Sequence, residues 1–575
     1  MISAAPRRHS NDWTSLISIE ATTSLGWEDS QLNTFLSKKA ITRTQGIAIV
    51  VVIVIAVIAG AYVATMPSAP PVTPKETTLI IADVMDITSA DPTAAFETYA
   101  YNVVYNCYDR LVELNGSDFT KVVPGLAESW TISPDGLVYT FHLRQNVRFA
   151  SGYPVNASAV KFSFDRVIKL DLAASWLFSE YGMTLNSTEV VDTYTVWVTL
   201  DYPYAPFLFI FAAPVASIVD PTVALQHEEA GDLGNKWLTD HSAGSGPFIL
   251  DSWVRESQIV LVRNPNYWRG PAKLERVIIN NVRESSSRKL AIETGDAHMT
   301  YGLTNEQLVT MQNNTNLKFV RGWNIGVEYV GMNTKIDGVT PTPFNDPRVR
   351  NAVKYAIDYR TIVDDLLRGN GIRLMTPIPR GLLGHDPTMV IEQNLTKSRE
   401  LLAAAGYPDG FDTTLVYPPG SVAGIPWETL ALKVQEDLAK VGIRVTLQVM
   451  VWSQLLNLYR GKKLQMMMLG WFMDFADPDD FVHPFGHVRG SLAKRVSYNN
   501  TEITALVEQA ARTSDLAQRA QLYQQIQRLL LEDGPWAILF QPTVTIVLRA
   551  DPAKNVKGYV YNPMAEWYYP ISIGT

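Results

Sequence analysis

Met466, Met467, Met468 and Leu469 form an unbroken apolar run, which predicts a strand covered on both faces. Gly470 and Trp471 end it. The chain then turns acidic, with Asp474, Asp477, Asp479 and Asp480 set among Phe472, Met473, Phe475 and Phe481. Upstream, Thr78–Ala82 (TLIIA) reads as a short β-branched strand, and Tyr99–Leu114 alternates apolar and polar positions up to an Asn115-Gly116 turn. Val122–Ile168 reads as a hairpin followed by a helix. Ser133–Gly136 supplies the Pro-Asp-Gly turn, Asn156 or Ser158 can cap the helix, and Val160, Phe164 and Val167 share one face. From Asn333 onward strands alternate with helices, which implies α/β layering. Asp346-Pro347 opens a helix as N-cap and first residue, with Val349, Val353, Ala356 and Ile357 as its apolar face. A helix over Thr396–Ala405 and an amphipathic one over Trp427–Lys440 follow, then a strand over Ile443–Met450 and a helix over Trp452–Tyr459. Helices over Thr501–Arg512 and Asp515–Glu532 precede the apolar, β-branched stretch Pro535–Leu548.

The first 45 residues are polar and irregular and stand outside this pattern. Gly46–Met66 carries no charge and, at ~1.5 Å per residue, is long enough to cross the ~30 Å hydrocarbon core as a helix. Lys38, Lys39 and Arg43 precede it and no charge follows until Lys75, so the positive-inside rule places everything after Met66 outside the cytoplasm. A cleaved signal peptide competes, with Ala59-Gly60-Ala61 as its cleavage site. The apolar core exceeds the usual ~7–15 residues, which favours a retained anchor. No cysteine stands directly after the segment, against a lipid anchor, and residues 67–77 are a Pro/Thr/Ser spacer.

Composition narrows the function classes. The chain has 575 residues, 47% of them hydrophobic and 18% charged, as expected of a multi-lobed globular body. A net charge of −8 without a long basic run argues against nucleic acid as a partner. The single cysteine, Cys107, excludes an intrachain disulfide and a Cys-rich metal site, and no HExxH motif occurs. No metal or cofactor is expected. Sequons at Asn115, Asn156, Asn186, Asn313, Asn394 and Asn499 are compatible with an extracytoplasmic location.

Carboxylates among aromatics at the end of an apolar strand are costly unless a cation or strong donors meet them. The simpler reading is a solvated turn, punctuated by Pro478, with Asp479 or Asp480 capping a helix; it suits Asp477, Asp479 and Asp480. Asp474, three residues after the Trp, is a candidate to face a ligand. Asp474 and Asp477 could also be imagined as a general acid and base, or the cluster as a Ca²⁺ loop. Neither EF-hand spacing nor a nucleophile–base motif accompanies them. Gly244–Gly246 lacks the Lys-Ser/Thr of a phosphate-binding loop and reads as a β-turn.

The segment Gly470–Phe481 resembles the Gly-Trp-x-x-Asp-x-x-Asp-Pro-Asp-x-Phe stretch of the dipeptide- and oligopeptide-binding proteins, family 5 of the ABC-importer solute-binding proteins. The resemblance extends to the block Val122–Ile168, with its Leu-Ala-x-Ser-Trp, Asp-Gly-x-x-Tyr-Thr-Phe-x-Leu-Arg and Val-x-Phe-Ser-Phe-Asp-Arg elements. It continues through Tyr105–Val112, Gly244–Phe248 and Asn264–Trp268. It implies an α/β, two-lobed clamp of the periplasmic-binding-protein type II class, with an extra α+β subdomain on lobe I, preceded by one transmembrane helix. Lobe I would take 78–98, 241–330 and 545–575, the insert 99–240, and lobe II 331–544, with crossings near Tyr329–Met332 and Thr543–Arg549. By the same resemblance Asp474 receives the α-ammonium of a bound peptide, Gly470 and Phe472 offer backbone groups, and Trp471 forms a wall. Trp452 matches a ligand-lining Trp 22 residues before that Asp, against a reading as a helix-start residue packed in the core. Phe96 lies in the lobe I loop that touches ligand.

The chain departs from dipeptide binders at one place. The loop after the strand Thr414–Tyr417, where they carry an Arg for the ligand's C-terminal carboxylate, reads YPPGSVAGIPW here and has no cation. A peptide longer than a dipeptide therefore fits better. Oligosaccharide is the alternative ligand, given 14 Trp and 25 Tyr. The expectation is a membrane-tethered, extracytoplasmic, monomeric binding protein, not an enzyme, serving the permease of an ABC importer.

Overall fold

A computed structural model describes residues 77–574, apart from Asp86 and Ser117. The expected membrane helix Gly46–Met66 lies outside the described residues. Among those described, no helix is long and apolar enough to cross a membrane. The described residues form one compact unit.

The organising element is the 14-residue strand Trp536–Arg549. Its first part pairs antiparallel with Gly326–Met332, with Trp536 opposite Gly331 and Phe540 opposite Glu328. Its last part pairs antiparallel with Leu317–Trp323, with Thr543 opposite Trp323 and Arg549 opposite Leu317. One long strand is thus shared by two sheet halves. In one half Gly326–Met332 is followed by Met466–Phe472, Phe411–Tyr417 and, at the edge, Ile443–Val449. In the other, Met299–Thr300, Thr78–Asp83, Arg276–Asn281, Gln258–Arg263 and Phe248–Val254 follow in order. The crossing is pinned by Gln541, whose amide nitrogen donates to the Asn324 and Arg380 carbonyls while its oxygen accepts from the Arg380 N–H. It falls at Asn324–Ile325 and Gln541–Thr543.

The periodicities foreseen in the second half are present. Helix Pro347–Ala356 is capped by the Asp346 side chain, which accepts from the Arg348 N–H, and it buries Val349, Val353 and Ala356. Trp427–Ala439 makes the crossover between the parallel strands Phe411–Tyr417 and Ile443–Val449. The helix after the first-half hairpin runs Ala157–Leu170, with Asn156 as its cap. One segment differs. Tyr99–Leu114 is not an alternating strand; Thr98–Cys107 is a helix and only Val112–Asn115 pairs as a strand.

The segment 99–240 carries its own four-stranded sheet and an aromatic core around Phe141, Phe164, Phe178, Phe207 and Phe211. That core continues without a break into Phe475, Phe481 and Phe485 of the acidic segment and the helices behind it. Tyr181 meets Phe475 edge-on at 5.6 Å, and the Tyr204 hydroxyl donates to Asp479 at 2.6 Å. The acidic strand end is therefore packed from both halves of the chain.

Candidate functional site

A cavity of about 670 Å³ lies over the strand crossing. Its walls come from Asp83 and Val84 at the end of the first strand, Tyr99, Tyr101 and Asn102 on the helix Thr98–Cys107, and the loop Tyr301–Asn305. Asn324, Ile325, Glu328 and Pro542–Thr545 form its floor at the crossing, and Tyr561–Glu566 of the C-terminal segment closes one side. The second half contributes Asn370, Ser421–Gly424, Phe472 and Met473. The volume is that of a pocket for a molecule of a few residues.

The charge on these walls is one-sided. Asp83 and Glu566 are 4% and 7% exposed, and Glu328 is fully buried. Burial pushes the Asp83 carboxyl up to about 7, against the Val84 N–H and the nearby Arg288 charge, and pushes Glu566 up to about 8, the Asp83 charge adding to the rise; Glu328 is held well above the usual carboxylate range by burial alone. Among the described lining residues the cations are Arg283 and Arg288. Arg288 spends its guanidinium on the carbonyls of Val282, Arg283, Tyr301 and Gly302, and Arg283 pairs with Glu256 at 2.6 Å. The hairpin Ser421–Pro426 lines the cavity with Ser421, Val422, Ala423 and Gly424, so this wall brings no cation for a carboxylate.

Just beyond this lining, the acidic segment is more buried than a solvated turn. Asp477, Asp479 and Asp480 are at most 2% exposed, which corrects that reading of all three. Asp477 accepts from both terminal nitrogens of Arg519, at 2.6 and 2.8 Å, from the Tyr523 hydroxyl and from the Asp479 N–H. The Asp480 carboxylate accepts the Asp474 N–H at 2.7 Å, and its carbonyl accepts the Trp471 indole N–H at 2.8 Å. The reason is long-range: a cation meets Asp477, the Tyr204 hydroxyl meets Asp479 and a backbone N–H meets Asp480, while one oxygen each of Asp479 and Asp480 stays unpartnered.

Asp474 itself is half-buried. Desolvation pushes its carboxyl up to about 7, and burial holds its neighbour Asp480 well above the usual carboxylate range, the adjacent Asp474 charge adding to the rise. Both negative charges also act on Tyr101, a cavity residue, raising its hydroxyl. Phe472 stands on the cavity wall, 41% exposed. Gly470 faces Glu328 across the strand pair, and a Cβ there would lie 2.7 Å from Glu328 Oε2, so the glycine makes room for that carboxyl. Trp471 turns its ring onto the core. Phe96 packs edge-on against Trp176 at 6.2 Å rather than on the lining. Trp452 is 54% exposed at the start of helix Trp452–Arg460, so it is neither in the core nor on the lining.

Sequence reasoning passed over Asp83, Tyr101, Asn102, Glu328, Asn370 and Glu566. Glu328 had a visible signal: it is the lone charge in the strand Gly326–Met332. The others come together only through the fold. Among the described residues no three His, Cys, Asp or Glu side chains converge as a metal-ligand set.

The model of the bacterial extracellular solute-binding proteins, family 5, matches residues 121–492. The probable D,D-dipeptide-binding periplasmic protein DdpA of Escherichia coli is 32% identical, over 88% of this chain and 95% of its own length. Heme-binding protein A of Haemophilus influenzae is 29% identical, over 84% of this chain and 90% of its own. Among solved structures, the periplasmic binding protein DppA of Helicobacter pylori in complex with the peptide STSA superposes with a TM-score of 0.72. It is 28% identical, over 87% of this chain and 98% of that one.

Proposed function

Because the chain belongs to the bacterial extracellular solute-binding proteins of family 5, we propose that it captures peptides outside the cytoplasm and delivers them to an ABC importer. The observation that carries the reading is the acid-lined cavity over the crossing strands, whose two lining arginines are already engaged. A peptide supplies what such a cavity lacks. Its ammonium meets carboxylate, and its N–H groups meet unpaired acceptors, so closure strands no polar group. The Asp474–Asp480 pair is the receiver of the α-ammonium: two adjacent acids that resist joint ionisation are relieved by one cation. Phe472 and the edge at Gly470 give the peptide a wall. The cation-free hairpin Ser421–Pro426 favours peptides longer than two residues. The segment Gly46–Met66 serves as the membrane tether, and the protein acts as a binding monomer without turnover.

The test is native mass spectrometry of residues 75–575, gently purified, followed by denaturation of whatever is released. A ladder of short peptides is the expected result. A series spaced by hexose would assign the cleft to oligosaccharides instead.

The acid pKa values set a pH dependence. Asp83 and Asp474 near 7 and Glu566 near 8 are partly protonated at neutral pH in the free protein. A cationic ligand binds their charged forms, so affinity for a free-amine peptide rises from pH ~6 to ~8 and binding releases protons. Around these groups stand Asp480, Tyr101, Tyr301, Tyr559 and Arg288. The sign for stability is opposite. A carboxyl raised above its unfolded value costs the free protein stability as pH climbs from the unfolded to the folded pKa, here from about 4 to 7 or 8. Titration calorimetry in buffers of different ionisation enthalpy reads the protons directly. Proton uptake, or an affinity that falls over this window, contradicts the charge assignment.

A further inference from the structure

The cavity holds more acceptors than one α-ammonium can use. Glu566 Oε1 accepts from the Tyr559 hydroxyl at 3.0 Å, whereas its Oε2 is buried without a hydrogen-bond partner. Asp83 lies close enough on the same wall for the two charges to repel, and its Oδ1 accepts only a backbone N–H, that of Val84. Across the cavity Asn370, 8% exposed, gives its amide N–H to Asn305 while its Oδ1 is unpartnered. Thr543 Oγ1 and Thr545 Oγ1 on the long strand are also buried without partners, as are both carboxylate oxygens of Glu328 beneath the floor. Six buried polar oxygens on residues that line one cavity are thus unmatched, three of them on carboxylates. Buried acceptors without donors are costly in a folded protein, and unneutralised carboxyls more so. Their concentration around one space points to a ligand rich in donors.

We propose that the cavity selects peptides bearing a second positive charge, a guanidinium or ammonium of a basic side chain, which the Glu566–Asp83 pair receives while Asn370, Thr543 and Thr545 face the peptide's other donors. This rests on the peptide reading and narrows its substrate class. Glu328, kept in place by the bare Cα of Gly470, adds negative potential from below the floor. A guanidinium suits the site best, because its N–H groups in a fixed fork can meet neighbouring carboxylates together.

The test uses tripeptides differing only in the middle residue: Arg, Lys, citrulline, norleucine or Glu between two alanines, with free arginine and spermidine as non-peptide cations. Binding is measured by calorimetry on the full chain. The expected result is that the Arg and Lys peptides bind at least about tenfold tighter than the citrulline and norleucine peptides, with the Glu peptide weakest. Glu566→Gln is expected to shrink that preference to about twofold or less. Equal binding of basic and neutral peptides overturns the proposal and leaves the peptide reading standing. Binding of spermidine or arginine in preference to every peptide, lost in Glu566→Gln, sustains the cation site and overturns the peptide reading. Binding of neither class overturns both. The wild-type series decides the question even if the variant folds poorly.

Discussion

Arg519→Met is expected to cost the folded protein about 3–5 kcal/mol, among the largest effects of any single substitution in this chain. The side chains of Arg519 and Asp477 are both buried, and the guanidinium forks onto both oxygens of the carboxylate. Met fills much of the space but leaves Asp477 as a buried carboxylate with one hydroxyl and one N–H for company. The loss comes from that stranded charge rather than from the pair's own attraction, since exchanging both members of a buried pair is often neutral. Arg519→Met/Asp477→Asn should therefore recover most of the loss. Urea midpoints of the wild type, the single and the double variant decide it. A single variant within about 1 kcal/mol of wild type, or a double variant no better than the single, would remove the argument. The pair also reaches the site. Asp477 holds the start of helix Asp479–Gly486, and that helix positions Asp480, on which the Asp474 amide rests.

What could be read from the sequence divides along the range of the interactions. The cap at Asp346, the Pro-Asp-Gly turn and the buried run Met466–Leu469 depend on neighbours in the chain, and all three stand where the pattern put them. The helix Thr98–Cys107 went unread because Ala100, Val103, Val104 and Cys107 keep helical spacing while Tyr101 and Tyr105 are buried as well. A helix covered all round loses its stripe and imitates alternation. The acidic segment failed differently. Nothing near Asp477 in sequence announces Arg519, 42 residues on, and nothing near Asp479 announces Tyr204, 275 residues back. A local reading therefore assigns water where the fold supplies a cation and a phenol. The cavity itself is assembled from ends of strands and loops spread from Asp83 to Glu566, and only Glu328 stood out as a charge in an apolar strand. The family resemblance supplied the clamp and the focus on the segment after Met466–Leu469; it could not reveal that the acids there are paired with one another.

Asp474→Asn is expected to weaken binding of a free-amine peptide by about 2–5 kcal/mol, roughly thirty-fold to several-thousand-fold in Kd. The asparagine keeps the shape and leaves the backbone N–H on Asp480, so the loss reports charge and not collapse of the strand end. In the free protein the substitution should be close to neutral or stabilising, because it relieves the repulsion that raises Asp480. That opposition is the diagnostic: stability holds or rises while affinity falls. An N-acetylated peptide of the same sequence carries no ammonium and should lose far less. Three outcomes separate the possible roles. Equal loss for acetylated and free peptides would mean that Asp474 shapes the wall rather than receiving charge. No loss for either would move the ammonium to Glu566 and Asp83, acids on the cavity wall itself. Selective loss for the free amine, with the dependence on pH between ~6 and ~8 flattened in the variant, places the ammonium on the Asp474–Asp480 pair and leaves the Glu566 wall free for a second charge.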